Sequence, residues 1–477
     1  MKSSQKKDLL GLVRNGSQMT LAQQLKLTAE LSLPSMMAQI SFIIMQYIDA
    51  AMVGQLGSEC SAAVGLVNTS TWLFYGLGES ASTGFSVLVA HRLGANDAFS
   101  ARQILRQGLS TCLLVSTILM GLGLSISSSL PYWLGGGSDI APMSTEYFWI
   151  FALSMPFFHI NYMAASMLRS SGNMKIPSIL NVIMCFLDVV FNFFLIYPDR
   201  QISIFSHELE IFGFGLGVKG AAMGTALSQV VGSVFMLGYL IFKSKDLKIY
   251  GEKGSFIPQK KFLKNALKIG IPIGFERIIM SSAYICLTAI IAPLGNIAIA
   301  ADTFAVTVES LCYMPGYGIA DAATTLVGQS IGAGRRSLAR RFGFITVFCG
   351  IGVMTITAAI MYAFAPQMMH LMTPITEIST LGTEILRIEA FAEPMFAAAI
   401  VAYGVFVGAG DSLTPSLMNL LSMWGLRITF AAFLAPQMGL KGVWIVMAVE
   451  LSIRGILFLI RLKSTKWLKN TIKAKLK

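Results

Sequence analysis

Charge is scarce in this 477-residue sequence. Asp, Glu, Lys and Arg make up 13% of it, about half the ~25% of an average soluble protein, so water is not the chain's only solvent. Paired cysteines are missing too. Cys60, Cys112, Cys185, Cys286, Cys312 and Cys349 each stand alone in an apolar stretch, which excludes a disulfide framework or a CxxC metal site and leaves them as small buried hydrophobes. There is no HExxH, no P-loop and no Gly-x-Ser-x-Gly, so a zinc protease, an ATP-driven pump and a serine hydrolase lack their chemistry. No apolar h-region with a small-residue cleavage site precedes the first long apolar stretch, so no removable signal peptide is expected. No groove of interleaved basic and aromatic residues is visible either, which argues against a nucleic-acid partner despite the net charge of +12.

Apolar length is plentiful. Hydrophobic residues form 55% of the chain, and nearly uncharged runs long enough to cross ~30 Å of hydrocarbon, which takes ~20 residues, recur throughout. Thr111 to Leu134, Ile176 to Tyr197, Ile278 to Ala301 and Phe342 to Ala365 are clear examples. The basic residues are confined between such runs: 29 of the 36 Lys and Arg fall in residues 1–27, 91–106, 169–175, 243–268, 335–341 and 461–477. Basic-poor connections alternate with these, near Gln55 to Glu59, Gly135 to Glu146, Asp199 to Glu210, Asn296 to Asp302 and Pro366 to Glu384. The positive-inside rule places both termini and the loop around Lys260 in the cytoplasm, which requires an even number of crossings. Anionic headgroups of that leaflet are a sufficient partner for the basic residues.

The sequence also repeats itself. At an offset of 238 residues, Pro34 falls on Pro272, Leu56-Gly57 on Leu294-Gly295, Gly78 on Gly316, Gly94-Ala95 on Gly332-Ala333, Pro156 on Pro394 and Gly172 on Gly410. Near the end of each half the offset drops to 222, Gly217-Val-Lys-Gly220 matching Gly439-Leu-Lys-Gly442, which locates a polar insertion near Ser203 to Gly215. The expected fold is therefore an all-α integral membrane protein of twelve transmembrane helices, in two parallel six-helix repeats related by a pseudo-two-fold along the membrane normal. Its expected parts are a cytoplasmic N-terminus (1–27), a six-helix lobe (28–242), a Lys-rich, flexible cytoplasmic linker (243–265), a second lobe (266–462) and a basic cytoplasmic tail (463–477). Pro34, Pro156, Pro272 and Pro394 lie inside helices at matched places, each permitting a kink that either is repeated packing or serves movement between states.

Several segments resemble the MATE (multidrug and toxic compound extrusion) family, from about residue 25 to 460. They are Tyr47-Ile-Asp49-Ala-Ala-Met-Val-Gly54-Gln-Leu-Gly57, Leu168-Arg-Ser-Ser-Gly172-Asn with Pro177, Ala292-Pro-Leu-Gly295 with Ala300-Ala301, and Thr325-Leu-Val-Gly328-Gln-Ser-Ile-Gly332-Ala-Gly. The resemblance implies a secondary antiporter of the bacterial inner membrane, in which Na+ or H+ moving inward drives export of organic cations or related drugs. It implies no enzymatic activity, no catalytic or metal site and no cofactor beyond the coupling ion.

A carboxylate inside a span costs ~2.5–3.5 kcal/mol on insertion scales and so calls for an explanation. Asp49 has no basic residue within twenty positions, and its setting matches the family's acidic residue on the first helix; it is the expected coupling carboxylate. Asp188 and Asn192 are four apart on one helix face and can present oxygens to one cation. Some family members carry Asn first and Asp second there, the reverse of this order. Thr225, in Gly220-Ala-Ala-Met-Gly-Thr225, matches a threonine near that site. The repeat positions of Asp49 and Asp188 are Leu287 and Leu426, so the halves have diverged. Glu276 and Glu393 are expected along a substrate pathway; an acidic family branch has its carboxylates about one turn later, at Met280 and Phe396 here. Glu276 alternatively pairs with Arg277 or Arg427. Glu79, Asp321, Glu389 and Glu450 are expected to be structural or interfacial.

The expected partners are the lipid bilayer and small amphipathic, cationic substrates, with the protein a monomer. The 27 methionines and 31 phenylalanines suit a pocket that re-packs around varied hydrophobic cargo. The alternative is a lipid-linked oligosaccharide flippase, whose anionic cargo favours an Arg- and Lys-lined cleft. An intramembrane enzyme is the remote alternative: Gly408-Ala-Gly410-Asp411 matches the GxGD string of intramembrane aspartyl proteases, but it falls at a repeat position expected to be a cytoplasmic turn.

Overall fold

Helices form along the apolar runs because a chain in hydrocarbon has to satisfy each backbone N–H and C=O within its own segment. The computed structural model describes residues 9–204 and 207–469. After a short α1 (Leu9–Arg14), the first half consists of α2 (Leu21–Gly54), α3 (Ser58–Gly94), α4 (Ala98–Ile126) with the helical turn α5 (Leu130–Trp133), α6 (Ala141–Ser170), α7 (Lys175–Ile196) and α8 (Gly217–Phe242). The second half consists of α9 (Lys260–Ile291), α10 (Asn296–Gly332), α11 (Arg336–Met372), α12 (Thr376–Glu389), α13 (Glu393–Gly408), α14 (Leu413–Ser422) and α15 (Thr429–Lys463), followed by α16 (Lys466–Lys469). Nine helical rods among the described residues are long and apolar enough to cross a bilayer, and α12 with α13, bent by 61° at a short break, makes a tenth. The long rod from α14 through α15 is two crossings in one, divided at Gly439, whose φ of 62° and ψ of −149° belong to a region that only glycine enters freely. The glycine- and serine-rich α3, 37 residues long, is the twelfth.

The prolines fall where bends are tolerated. Pro34, Pro156 and Pro272 lie inside α2, α6 and α9. Pro394 occupies the first turn of α13, where its missing N–H breaks no helical bond. A π-helical turn at Met423–Ile428 joins α14 to α15 and carries Arg427. The insertion in the first half forms an antiparallel hairpin, β1 (Pro198–Ile204) with β2 (His207–Phe214), in which Asp199 Oδ1 accepts the Gly213 N–H at 2.8 Å. This hairpin is the one departure from an all-helical chain among the described residues.

The halves pack reciprocally. α2 lies against α10 while α3 lies against α9, the arrangement that a two-fold exchanging the first two crossings of each half produces. Individual residues obey the same exchange. A Cβ on Gly94 would sit 2.0 Å from the Gln329 carbonyl oxygen, and one on Gly332, its repeat mate, 1.9 Å from that of His91, the mate of Gln329. Gly318 likewise meets the backbone of Met36, and Gly274, the mate of Met36, meets the side chain of Ser80. At Gly94, Gly332 and Gly318 no side chain larger than hydrogen fits.

These contacts gather on the side of the Lys- and Arg-rich loops. There His91 Nε2 meets the Gly408 carbonyl at 2.8 Å and Gln329 donates to the Ser170 carbonyl at 2.8 Å. Arg14 of α1 reaches Gln329 at 2.9 Å, the Ser171 carbonyl at 2.9 Å and Asp246 at 2.7 Å, so one guanidinium ties both halves and their connection. That connection is fastened where a flexible joint was expected. Leu247 and Ile249 bury against the first half, and Arg106 donates to the carbonyls of Ile249 at 3.2 Å and Glu252 at 2.8 Å. Toward the other face, the outermost cross-half hydrogen bonds among the described residues come from Tyr47, to Ser310 and the Thr307 carbonyl.

Candidate functional site

Asp49 sits just beyond Tyr47, one and a half turns from the end of α2, half-buried between α2 and α7. The Asn192 amide of α7 donates to Asp49 Oδ1 at 2.8 Å and to Asp188 Oδ2, one turn below on the same helix, at 3.1 Å. Asp188 Oδ1 accepts from Ser228 of α8 at 3.1 Å, and the Thr225 hydroxyl lies within reach of the same carboxyl. Asp188 and Asn192 are wholly buried. The four residues expected to act together therefore do meet, and Ser228, one turn beyond Thr225, joins them. The i, i+3 spacing within Thr225-Ala-Leu-Ser228 was the available signal for it.

The geometry depends on Gly224. A Cβ there would lie 2.0 Å from Asn192 Oδ1 and 3.1 Å from the Asn192 backbone nitrogen, so only glycine lets α8 press the amide between the two acids. No Lys or Arg pairs with Asp49 or Asp188 among the described residues. Two carboxyls, an amide and two hydroxyls form an oxygen-rich donor set suited to a hard monovalent cation or a proton.

The remaining acidic residues divide into partnered and unpartnered. Glu276 is buried, accepting from Tyr403 at 2.7 Å and Asn419 at 2.7 Å rather than pairing with Arg277 or Arg427. Glu79 accepts from Tyr162 at 2.6 Å and from Arg277 across the halves at 3.2 Å, and Asp321 accepts from Ser35 at 3.0 Å with Arg169 at 3.7 Å. Glu450 is held by Arg427 and Arg454, each at 2.7 Å, and by Ser422. Asp411 of the GxGD string pairs with Arg461 in the turn between α13 and α14. Glu389 and Glu393 differ from all of these. They flank the break between α12 and α13 and are wholly buried, and the Glu389 carboxyl oxygens accept no hydrogen bond among the described residues. Glu309 of α10 lies within electrostatic reach of both, and the Cys312 thiol, engaged with Thr357 at 3.2 Å, is the neighbour of Glu393. The sequence pattern marks Glu389 as structural or interfacial and does not join the three, because residues from different helices carry no spacing signal.

Comparison with known proteins fits this picture. The MatE family description matches residues 34–194 and 272–433, two copies that begin at the repeat-related Pro34 and Pro272. A probable multidrug resistance protein NorM from Thermotoga maritima is 26% identical over 453 residues, 93% of each chain. An uncharacterized transporter YisQ from Bacillus subtilis is 24% identical over 90% of this chain and 91% of its own. Among solved structures, a MATE protein in complex with MaL6 superposes with a TM-score of 0.84 at 22% identity, covering 96% of this chain and 99% of that one. A MOP superfamily transporter from Pyrococcus furiosus gives 0.85 at 22% identity, over 98% and 99%. With both halves matched and twelve crossings in two packed repeats, the chain belongs to the MatE family of multi-pass membrane transporters.

Proposed function

We propose that this transporter is a cation-coupled antiporter of the bacterial inner membrane, exporting organic cations or other amphipathic toxic compounds by alternating access. The observation that carries the proposal is the hydrogen-bonded chain Asp49–Asn192–Asp188–Ser228, two carboxyls held together in a span without a basic partner among the described residues. A monovalent cation moving inward gains ~2.3 kcal/mol per 100 mV, and an antiporter uses that gain when ion occupancy changes the affinity for cargo. Na+ or H+ arriving between Asp49 and Asp188 removes one negative charge and lets α2 repack against α7 and α8. Cargo of positive charge is favoured when the site is ion-free, and released when it is filled. The relatives named as multidrug resistance proteins support export of such compounds. Pro34 and Pro272, inside the two helices that cross between halves, supply the bends for the change of state.

The test is drug efflux from proteoliposomes under separately imposed Na+ and pH gradients. Asp49→Asn keeps the size and much of the hydrogen bonding but cannot change charge, so it abolishes gradient-driven efflux while the protein still folds and inserts. Wild-type efflux by that variant under both gradients refutes the mechanism, and preferred export of anionic lipid-linked sugars favours the flippase. Orientation is read separately. The alternation of basic and basic-poor loops places the Lys-rich face in the cytoplasm, so Phe212→Cys on the hairpin reacts with an impermeant thiol reagent from outside, after the native cysteines have been replaced.

A further inference from the structure

One face of α11 reads Arg336, Arg340, Phe344, Phe348, four residues apart each time and so stacked in a single line. At 1.5 Å per residue the line runs about 18 Å from the basic side into the apolar span. Its upper end borders a cavity of about 760 Å³, formed where α11 begins, α2 begins and α16 closes the second half. Arg336, Arg340 and Arg341 line it together with Leu21, Phe344 and Leu468, and no Asp or Glu is among the lining residues. A smaller chamber of about 270 Å³ shares Gln24, Ser337 and Arg341 with it.

The positive charge at this cavity is uncompensated. Among the described residues no carboxylate pairs with Arg336, Arg340 or Arg341; Arg340 meets the Lys463 carbonyl at 3.4 Å and lies over the Phe344 ring. Asn470 to Lys477, the sequence that follows α16, contains no Asp or Glu and three lysines. The lower end of the line is apolar and open: Phe348 stacks on Phe344 and is 63% exposed, and Leu21 is 64% exposed at the rim. Guanidinium groups bind phosphate oxygens bidentately. Three of them at the membrane's polar edge, with an aromatic track descending from them, follow the order of a phospholipid from headgroup to acyl chain. A free phosphate has no use for the track, and a neutral lipid none for the arginines.

We infer that this cavity seats an anionic phospholipid, its phosphate held by Arg336, Arg340 and Arg341 and an acyl chain laid along Phe344 and Phe348. The arginines and the aromatic track belong to the second half, Leu21 and Gln24 at the start of α2 complete the wall, and none of these residues touches the ion site formed by Asp49, Asp188 and Asn192. The size agrees with ligand pockets of roughly 300–1,000 Å³.

Native mass spectrometry of the full chain released from mixed micelles of phosphatidylglycerol and phosphatidylcholine tests this. The protein retains phosphatidylglycerol in preference to phosphatidylcholine, and R336Q/R340Q/R341Q lowers that preference on the order of a hundredfold, each arginine near the surface contributing roughly fivefold. K260Q/K261Q/K264Q removes the same charge from the same side of the membrane but away from the cavity, and keeps the preference. F344A/F348A retains all the charge and weakens retention of long-chain phosphatidylglycerol, a second reading that holds if the arginine variant fails to fold. Equal retention of both lipids, an unaltered preference in either cavity variant, an equal loss in the lysine variant, or displacement of the lipid by millimolar inorganic phosphate overturns the assignment.

Discussion

Replacing Gly224 with alanine inserts one methyl group where the ion site is tightest. The new Cβ would lie 2.0 Å from Asn192 Oδ1 and 3.0 Å from its Cγ, against the 3.4–4 Å of an ordinary contact. α8 cannot back away locally, because Gly220, one turn earlier, meets the Leu195 carbonyl with a Cβ distance of 2.4 Å, so the Asn192 side chain has to turn. Its bonds to Asp49 at 2.8 Å and Asp188 at 3.1 Å then break. Hydrogen bonds to charged groups contribute about 1.5–3 kcal/mol each, so the pair represents at least about 3 kcal/mol. Alanine's helix preference of about 0.5–1 kcal/mol is common to the ion-free and ion-bound protein and cancels, so a loss of about 3 kcal/mol corresponds to roughly a hundredfold in ion affinity. Gly232→Ala, two turns along the same helix, is the control: its Cβ meets Met184 Sδ at 2.9 Å, and a flexible thioether gives way. The measurement is ion-dependent thermal stabilisation of purified protein, followed by gradient-driven efflux from proteoliposomes. Gly224→Ala loses both readouts and Gly232→Ala loses neither. If the two variants behave alike, Asn192 is not clamped by Gly224 and the reasoning fails.

Glu450→Gln leaves Arg427 and Arg454 facing each other without their shared anion. Breaking a buried charge network costs about 3–5 kcal/mol, so this variant unfolds at lower temperature in detergent, as a fluorescence melt shows. Glu389→Met acts in the opposite sense. It replaces a buried carboxyl that has no hydrogen-bond partner among the described residues by an apolar chain of similar size, and the melting temperature rises; a fall would mean that Glu389 holds a partner in the membrane. Asp97, in the turn before α4, accepts the Ser100 N–H at 3.0 Å and pairs with Arg92 at 3.2 Å. Burial alone raises its pKa, but the Ser100 bonds and the Arg92 charge outweigh burial and hold it below the usual carboxylate value. A depressed folded pKa means stability that is present above the unfolded value and is lost as pH falls toward and through the folded one. Asp97→Ala therefore loses a cap of about 1 kcal/mol at neutral pH and shows less acid sensitivity as pH falls through and below the ordinary carboxylate value of 3.8 in the same melt.

How much of this was legible beforehand depended on whether a feature lay along one helix or between several. Pro34 and Pro272, Gly94 and Gly332 stood at one fixed offset, and the reciprocal packing of α2 on α10 and α3 on α9 follows from that periodicity. Asp188 and Asn192 shared a face by spacing alone, and Asp49 stood out as an acid in a basic-free span. Ser228 was one turn from a residue already singled out. By contrast, the meeting of Glu309 with Glu389 and Glu393 depends on how α10 approaches a bent crossing. The break lies at Ala390-Phe391-Ala392, residues with no turn preference of their own, so tertiary packing overrode local propensity there. The docking of the connection through Leu247 and Arg106 was hidden for a similar reason: a Lys-rich composition reports solvation, while the two apolar side chains that anchor it are a small minority of the segment.

The reciprocal glycines have a mechanical consequence. Interlocked side chains resist parting like meshed gears, because each has to change rotamer before its neighbour can leave. Gly94 against Gln329, Gly332 against His91 and Gly318 against Met36 instead place bare main chain at the crossings. Surfaces of this kind separate with little friction and rejoin without a search for register. The two-fold makes both sides of the seam yield together, and the seam is held shut by the apolar packing of Leu27 and Leu31 against Ile319 and Ala323 beside it and by polar ties, Arg14 first among them.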